Sequence, residues 1–339
     1  MTNQAPTALI IGATGGIGSE MALALQARGW RIRALNRAPA KAAKANANLG
    51  TIEWVKGDAL RPADVLAAAQ GVSLVFHGAN PPGYKNWAGT ALPMLESSIA
   101  AAKAVGARLV FPGTVYNFGP DTFPLISETS PQNPQTRKGA IRVAMEQRLA
   151  DVSREGVKVL IVRAGDFFGG KAANNWFGQA LVTPGKPVRS VTYPGSRKVG
   201  HAWAFLPDLA ETFARLIARS DELANFEIFH FNGHWFDEGV EIAKATARAA
   251  DVPDAPIKRL PWFALYLAAP FSETFREMLE MRYLWKKPLR LDNSKLVAFL
   301  GSEPHTPLDQ ALRLSLTGLG CLPFTKSSSA PALALTGKA

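Results

Sequence analysis

The chain of 339 residues has a single cysteine, Cys321, which excludes an intrachain disulfide and points to a reducing compartment. It has no apolar run long enough to cross a bilayer as a helix. No charged segment leads into a signal-type apolar core, and the early apolar run at 8–11 reads as a strand. A cytoplasmic chain without an integral membrane segment is therefore expected. It also lacks an aromatic-plus-basic RNA motif and a helix-turn-helix signal, so no nucleic-acid partner is expected. There is no internal repeat, and no Ser-His-Asp or Cys-His arrangement. His230 and His234 lie four apart, but Phe-His-Phe-Asn-Gly-His reads as strand and turn with no third ligand nearby, so no metal is expected. One absence is local. Arg28, Arg31, Arg33, Arg37, Lys41 and Lys44 crowd together with no acid among them.

What is present is a globular composition, 47% hydrophobic and 19% charged, with a net charge of +11. Leu9, Ile10 and Ile11 suit a buried parallel strand. Gly12, Gly15 and Gly18 follow at spacings of three, and residues 19–26 are helical in pattern. Strand, glycine turn and helix in that order form a dinucleotide cradle. Glycines let backbone approach phosphate, and the helix start offers free N–H groups and a positive dipole end. Gly12, Thr14, Gly15, Gly16, Ile17 and Gly18 are its candidate residues.

The second strand, 31–36, ends at Asn36 and Arg37. An acid there would bind a ribose 2′-hydroxyl, whereas an arginine suits a 2′-phosphate. NADPH is thus the expected cofactor, with NAD second. Strand 52–55 ends near Asp58 and Ala59, where the carboxylate is placed to accept from an adenine amino group or to cap the next helix. Strand 74–77 ends in Gly78, Ala79 and Asn80, small residues that can pass under a ribose and nicotinamide. Strand 109–111 runs into Thr114 and Tyr116. Strand 157–162 ends at Arg163. Helices are expected at 88–105 and 138–153, and a long loop at 117–136. This alternation implies a Rossmann-type doubly wound parallel sheet with a smaller C-terminal substrate lobe. The dinucleotide-binding domain is read as 1–170 with 202–232 returning to the core, the substrate-binding lobe as 171–201 and 233–320, and 321–339 as a disordered tail. Residues 262–285, crowded with aromatics, read as a helix in the core of the second lobe. Their functional alternative is an apolar pocket wall or a lipid contact.

Several stretches, taken in order, resemble the extended short-chain dehydrogenase/reductases of the NAD-dependent epimerase/dehydratase group. They are Thr14-Gly15-Gly16-Ile17-Gly18, Asn86-Trp87-Ala88-Gly89-Thr90, Gly113-Thr114-Val115-Tyr116, Phe205-Leu206-Pro207-Asp208-Leu209-Ala210, and Asp292-Asn293-Ser294-Lys295 with Leu300-Gly301 and Pro304. The resemblance runs from residue 9 to about 316. It departs at the catalytic YxxxK, where alignment on Glu146 puts Lys138 at the tyrosine and Arg142 at the lysine. Three readings follow. Lys138 could be the acid/base with a depressed pKa, as in the isoflavone-reductase-type branch that residues 138–146 also resemble. Tyr116 could donate the proton, helped by Thr114. Or the site is catalytically silent and the chain is an NADPH-binding sensor or scaffold. The plain alternative for Lys138 and Arg142 is an exposed helix face, with Arg142 and Glu146 paired at i, i+4.

The expectation is an NADPH-dependent oxidoreductase acting on a carbonyl or activated carbon of a small apolar substrate. The alternative is a nucleotide-sugar epimerase or dehydratase, for which Arg189, Arg197 and Lys198 are the anion-binding candidates. His201 and Trp203 are expected on the substrate side. A helix-mediated homodimer is expected by analogy only.

Overall fold

Strand β1 (Thr7–Ile11) is buried along its whole length. A parallel strand with helices on both faces has no solvent side, which explains its unbroken apolar run. The computed structural model describes residues 5–81, 86–170 and 175–322. After β1 come α1 (Gly16–Gln26), β2 (Arg31–Asn36), α2 (Pro39–Ala45), β3 (Ile52–Lys56), α3 (Pro62–Ala68), β4 (Leu74–His77), α4 (Trp87–Val105) and β5 (Arg108–Thr114). Next are β6 (Leu125–Ile126), α5 (Arg137–Arg154), β7 (Val159–Ala164), β8 (Asp166–Phe168), β9 (Val191–Tyr193), β10 (His201–Phe205), α6 (Leu206–Ala218), β11 (Phe226–Phe231) and β12 (His234–Phe236). The chain continues through α7 (Glu241–Ala249), β13 (Ile257–Arg259), α8 (Trp262–Ala268), α9 (Glu273–Glu280), β14 (Arg290–Leu291), α10 (Ser294–Leu300) and α11 (Leu308–Gly318).

Seven strands form one parallel sheet in the order β11-β7-β5-β4-β1-β2-β3. Successive residues alternate between its two cores. Leu9 and Ile11 pack with Leu95, Met145 and Leu149 on one face, while Ile10 packs with Met21, Leu25 and Phe213 on the other. The strand order reverses beside β1, with β4 on one side and β2 on the other.

A third core, built from Trp176, Phe177, Trp203, Ile242, Trp285 and Leu312, belongs to the second lobe. Of residues 202–232, expected to return to the core, α6 packs with Met21 and Leu25 of α1 and β11 joins the main sheet. Strand β10 pairs instead with β8 and β12 in a separate three-stranded sheet. Residues 262–285 are not one helix. Pro270 lies in a 3₁₀ turn, Ala269–Phe271, between α8 and α9, and Ser272 caps α9 by accepting from Phe275 N–H. Met278, Met281, Leu284 and Trp285 enter the lobe core, but Phe263, Leu267 and Phe271 do not. Cys321 was expected in the tail and is instead packed in this core. The remainder of that tail, 323–339, lies outside the described residues.

Candidate active site

The turn between β1 and α1 has the shape a dinucleotide cradle requires. Gly12 has φ +94°, and a Cβ on it would stand 2.7 Å from the backbone of Gly78. Glycine there lets the β1 and β4 turns touch. A Cβ on Gly18 would stand 2.2 Å from the Gly12 carbonyl oxygen, so the helix can lie this close to the turn only without one. Gly15 occupies the N-cap with no side chain, and α1 has no acid in its first turn. The N–H groups of Gly16, Ile17 and Gly18 thus lack intrahelical partners and are left for an anion. Thr14 and Gly15 are exposed at this turn. The residues present fit a nicotinamide dinucleotide.

At the end of β2, Asn36 Oδ1 accepts from Ala38 N–H at 2.8 Å and fixes the turn that presents Arg37. Arg37 is exposed, and among the described residues its side chain has no ion pair or hydrogen bond. The basic cluster does not act as a unit. Arg28 pairs with Glu211 at 2.6 Å, and Arg33 pairs with Glu53 at 2.8 Å while donating to the Ala68 and Gln70 carbonyls. Asp58 Oδ1 accepts from Leu60 N–H at 3.0 Å, and Asp58 N–H donates to Asp64 Oδ2 at 2.9 Å. Its carboxylate shapes the turn before α3, whose own cap position is Arg61. Ala59 packs at the edge of the core beneath that turn.

One cleft, with about 740 Å³ of empty space partly open to solvent, lies at the carboxyl ends of β4, β5 and β7. Ile17, Gly78, Ala79, Asn80, Thr114, Tyr116 and Arg142 all line it. Sequence reasoning had these residues in separate stretches, and the fold brings them together. Thr114 Oγ1 accepts from Tyr116 N–H at 3.3 Å and shapes the 3₁₀ turn Val115–Asn117 that carries the phenol. That turn abuts the start of α5, where a Cβ on Gly139 would stand 2.4 Å from the Tyr116 carbonyl oxygen. Thr136 caps α5 by accepting from Gly139 N–H at 3.0 Å.

The two cations of α5 part company. Arg142 turns to the cleft, with Nη2 3.2 Å from Asn80 Oδ1 and its guanidinium over the Trp87 and Phe111 rings at 5.1 and 5.3 Å. Lys138 is not among the residues that line the cleft. Its buried Nζ lies 2.5 Å from Glu277 Oε2, 2.8 Å from the Glu277 carbonyl and 3.5 Å from Glu280 Oε2, all on α9. Burial lowers its pKa while both carboxylates raise it. The downward direction expected of a desolvated lysine is present, with burial its largest cause. The exposed-face reading fails for both cations, which are buried.

Arg163 lies beneath the cleft, not in its lining. Its guanidinium pairs with Glu146 at 2.6 Å, donates to the Glu128 carbonyl at 3.3 Å and stands 3.2 Å from His230 Nε2. It ties the loop between β5 and α5 to the sheet. Glu146 therefore answers Arg163, and the i, i+4 pair expected with Arg142 is absent among the described residues.

Two titratable side chains in the lining, His77 and Asp166, carried no assigned role in the sequence. His77, the last residue of β4, has Nδ1 2.7 Å from Ser98 Oγ, and burial and Arg142 pull its pKa down to about 3. It is neutral near pH 7, and its Nε2 has no partner among the described residues. A polar residue closing an apolar strand was the signal available. Asp166, just after β7, has its carboxylate 2.7 Å from His201 Nε2, and that ring stacks on Trp285 at 4.0 Å. His201 thus reaches the cleft through Asp166, whereas Trp203 is wholly in the lobe core. Arg197 lines a second pocket with Arg259, Arg282 and Lys286 beside Trp262, and Arg189 lies in another groove. Among the described residues no group of three or more His, Cys, Asp or Glu could hold a metal.

Solved structures with the same fold cover nearly the whole chain. UDP-glucose 4-epimerase from Bifidobacterium longum, in complex with NAD+ and UDP, matches with TM-score 0.69 at 17% identity, covering 93% of this chain and 97% of that one. UDP-glucuronic acid 4-epimerase from Bacillus cereus, in complex with NAD, gives 0.72 at 15%, covering 92% and 98%. UDP-glucose-4-epimerase from Stenotrophomonas maltophila, with bound NAD and formylated UDP-arabinopyranose, gives 0.71 at 16%, covering 93% and 98%. No curated protein matches the chain by sequence. The model of the NAD dependent epimerase/dehydratase family matches residues 8–231. With the glycine cradle and the strand-end cleft both in place, the chain belongs to that family of nicotinamide-dinucleotide enzymes.

Proposed function

We propose that this enzyme interconverts a secondary alcohol and a carbonyl on a hydroxylated, sugar-like substrate held in the cleft, as an epimerase or dehydratase does. The observation that carries this reading is the convergence of Thr114, Tyr116, Asn80 and Asp166 on one cleft that Ile17, from the cradle helix, also lines. A bound nicotinamide dinucleotide supplies the hydride chemistry. The chain's own residues supply position and a proton. Tyr116 exchanges a proton at the substrate oxygen, with Thr114 fixing the turn that presents it. The Arg142 guanidinium, turned to the cleft, favours negative charge at that oxygen. Asp166 accepts from substrate hydroxyls while His201 holds its carboxylate in place. Trp87 and Trp176 give a sugar ring flat apolar walls, and Asn80 and Asn175 give it polar partners. The UDP-sugar epimerases with the same fold support this class over the reductase expected from sequence. Arg197, in a cationic pocket of the second lobe, supports the anion-binding role this reading needs.

A second reading, an NADPH-dependent reductase of a small apolar carbonyl compound, is favoured by Arg37 at the β2 end. Incubation with UDP-sugars plus NAD+ or NADP+, followed by chromatography, is run alongside NADPH absorbance on a carbonyl panel. Turnover of a UDP-sugar supports the first reading, and NADPH consumption alone supports the second. In either case Tyr116→Phe lowers kcat by about 10²- to 10⁴-fold. Full activity in both Tyr116→Phe and Thr114→Ala would sink the site assignment. Dinucleotide binding with no turnover on either panel would favour a sensor or scaffold.

A further inference from the structure

The stretch from β13 to β14 has a one-sided surface. Phe271 is 92% exposed, Phe263 76%, Leu267 63% and Tyr266 51%. All come from α8 and the 3₁₀ turn after it, with Phe275 following on α9. A side chain that exposed stands proud of the surface, which is the form of an insertion tip and not of a groove wall. The exposed charges of residues 258–287 are all cationic: Lys258, Arg259, Arg276, Lys286 and Lys287. The acids of α9 point elsewhere. Glu273 accepts from Asn86 N–H at 3.2 Å, while Glu277 and Glu280 hold Lys138. Arg282 lies over the Trp262 and Tyr266 rings at 5.3 and 5.7 Å, on the border between the apolar tips and the cationic pocket. No helix among the described residues is long and apolar enough to cross a membrane.

We propose that the α8–α9 face seats the enzyme on an anionic membrane surface, with Phe263, Leu267 and Phe271 entering the headgroup boundary. The surrounding lysines and arginines would lie among lipid phosphates. Aromatic and leucine tips ringed by cations are what such a surface binds, through apolar burial and attraction to anionic lipid together. The charge argues against a second copy of the chain as the occupant. A two-fold interface sets a patch against itself, so these cations would face one another with no exposed acid to answer them.

The test uses the full chain and vesicles of phosphatidylcholine, with or without about 30% phosphatidylglycerol. The protein should sediment with the anionic vesicles, bind phosphatidylcholine alone about tenfold more weakly, and be released at about 0.5 M salt. Leu267→Ser with Phe271→Ser should lower partitioning about tenfold while leaving the melting temperature and dinucleotide affinity unchanged. A second probe, Phe271→Trp, should show quenching by brominated lipid in the anionic vesicles. Equal partitioning of wild type and the double variant overturns the proposal, as does an unquenched Trp at 271. A wild-type dimer that the double variant turns into a monomer, with no vesicle binding, assigns the face to a second copy and also overturns it. An acidic protein bound by this face in place of vesicles would do the same.

Discussion

The β1–α1 turn and the start of α5 both border the cleft, but their sequences behave differently. In the turn, Gly12 and Gly18 are held by backbone contact. Any side chain there collides with main chain, so residue type and position are tied together. On α5, Lys138 and Arg142 are one turn apart and equally buried, yet one grips α9 and the other faces the cleft. Their chemistry does not decide this. What decides it is which partner the fold brings: Glu277 and Glu280 for Lys138, Asn80 and two aromatic rings for Arg142. Where backbone geometry sets the residue, sequence is read easily. Where a long side chain chooses among distant partners, it is not.

Breaking the buried cation pairs gives the largest effects. Arg163→Met strands Glu146 in the core and should cost about 3–5 kcal/mol in denaturant unfolding. A loss below about 1 kcal/mol would mean Glu146 finds another partner. Lys138→Met should cost less, about 1–3 kcal/mol, because Arg137 remains near both α9 carboxylates. This variant sharpens the contrast with Arg142. If Lys138 only joins the lobes, kcat per folded molecule stays within about threefold, whereas loss of a true acid/base costs about 10²-fold or more.

Proton linkage gives a middle-sized effect. Burial lowers the pKa of His77 and His230 to about 3 and of His234 to about 4. Unfolded histidines titrate near 6.5, so the unfolded chain binds more protons between that pH and the folded values. Stability contributed by the neutral rings is thus present above about pH 6.5 and is lost as pH falls toward 3. Burial raises the carboxyl pKa values of Asp208 and Glu303, which opposes the loss over the lower part of this window. Thermal melts from pH 7 to pH 4 should fall, and His230→Gln should flatten that slope. A slope unchanged by the substitution would remove His230 from the account. The smallest effect is at the cradle rim. Arg37→Ala should weaken NADPH about tenfold and leave NADH nearly unchanged, by fluorescence titration. Equal losses would end the 2′-phosphate role.

The sheet was legible because its central strands are short unbroken apolar runs and the β1–α1 turn carries fixed glycines. The expected strand ends at Ile11, Asn36 and His77 agree with the structure. The cleft was legible in part. Thr114 ends β5 and Tyr116 follows it, so topology placed them. His77 ends β4 and Asp166 follows β7, but a lone histidine or aspartate at such a place is common, so that signal is weak by itself. Residues 262–285 misled because aromatics at helical spacing say nothing of which face is covered. Pro270 was the visible sign that the segment would break.

The rarity of cysteine has one more use. The Cys321 thiol is 4% exposed, its pKa pushed up by burial, and it is packed against the second lobe's core. A thiol so placed reacts only after its surroundings open. Its alkylation rate is therefore a clock for excursions of the second lobe. A ligand that holds this lobe against the sheet would slow the clock.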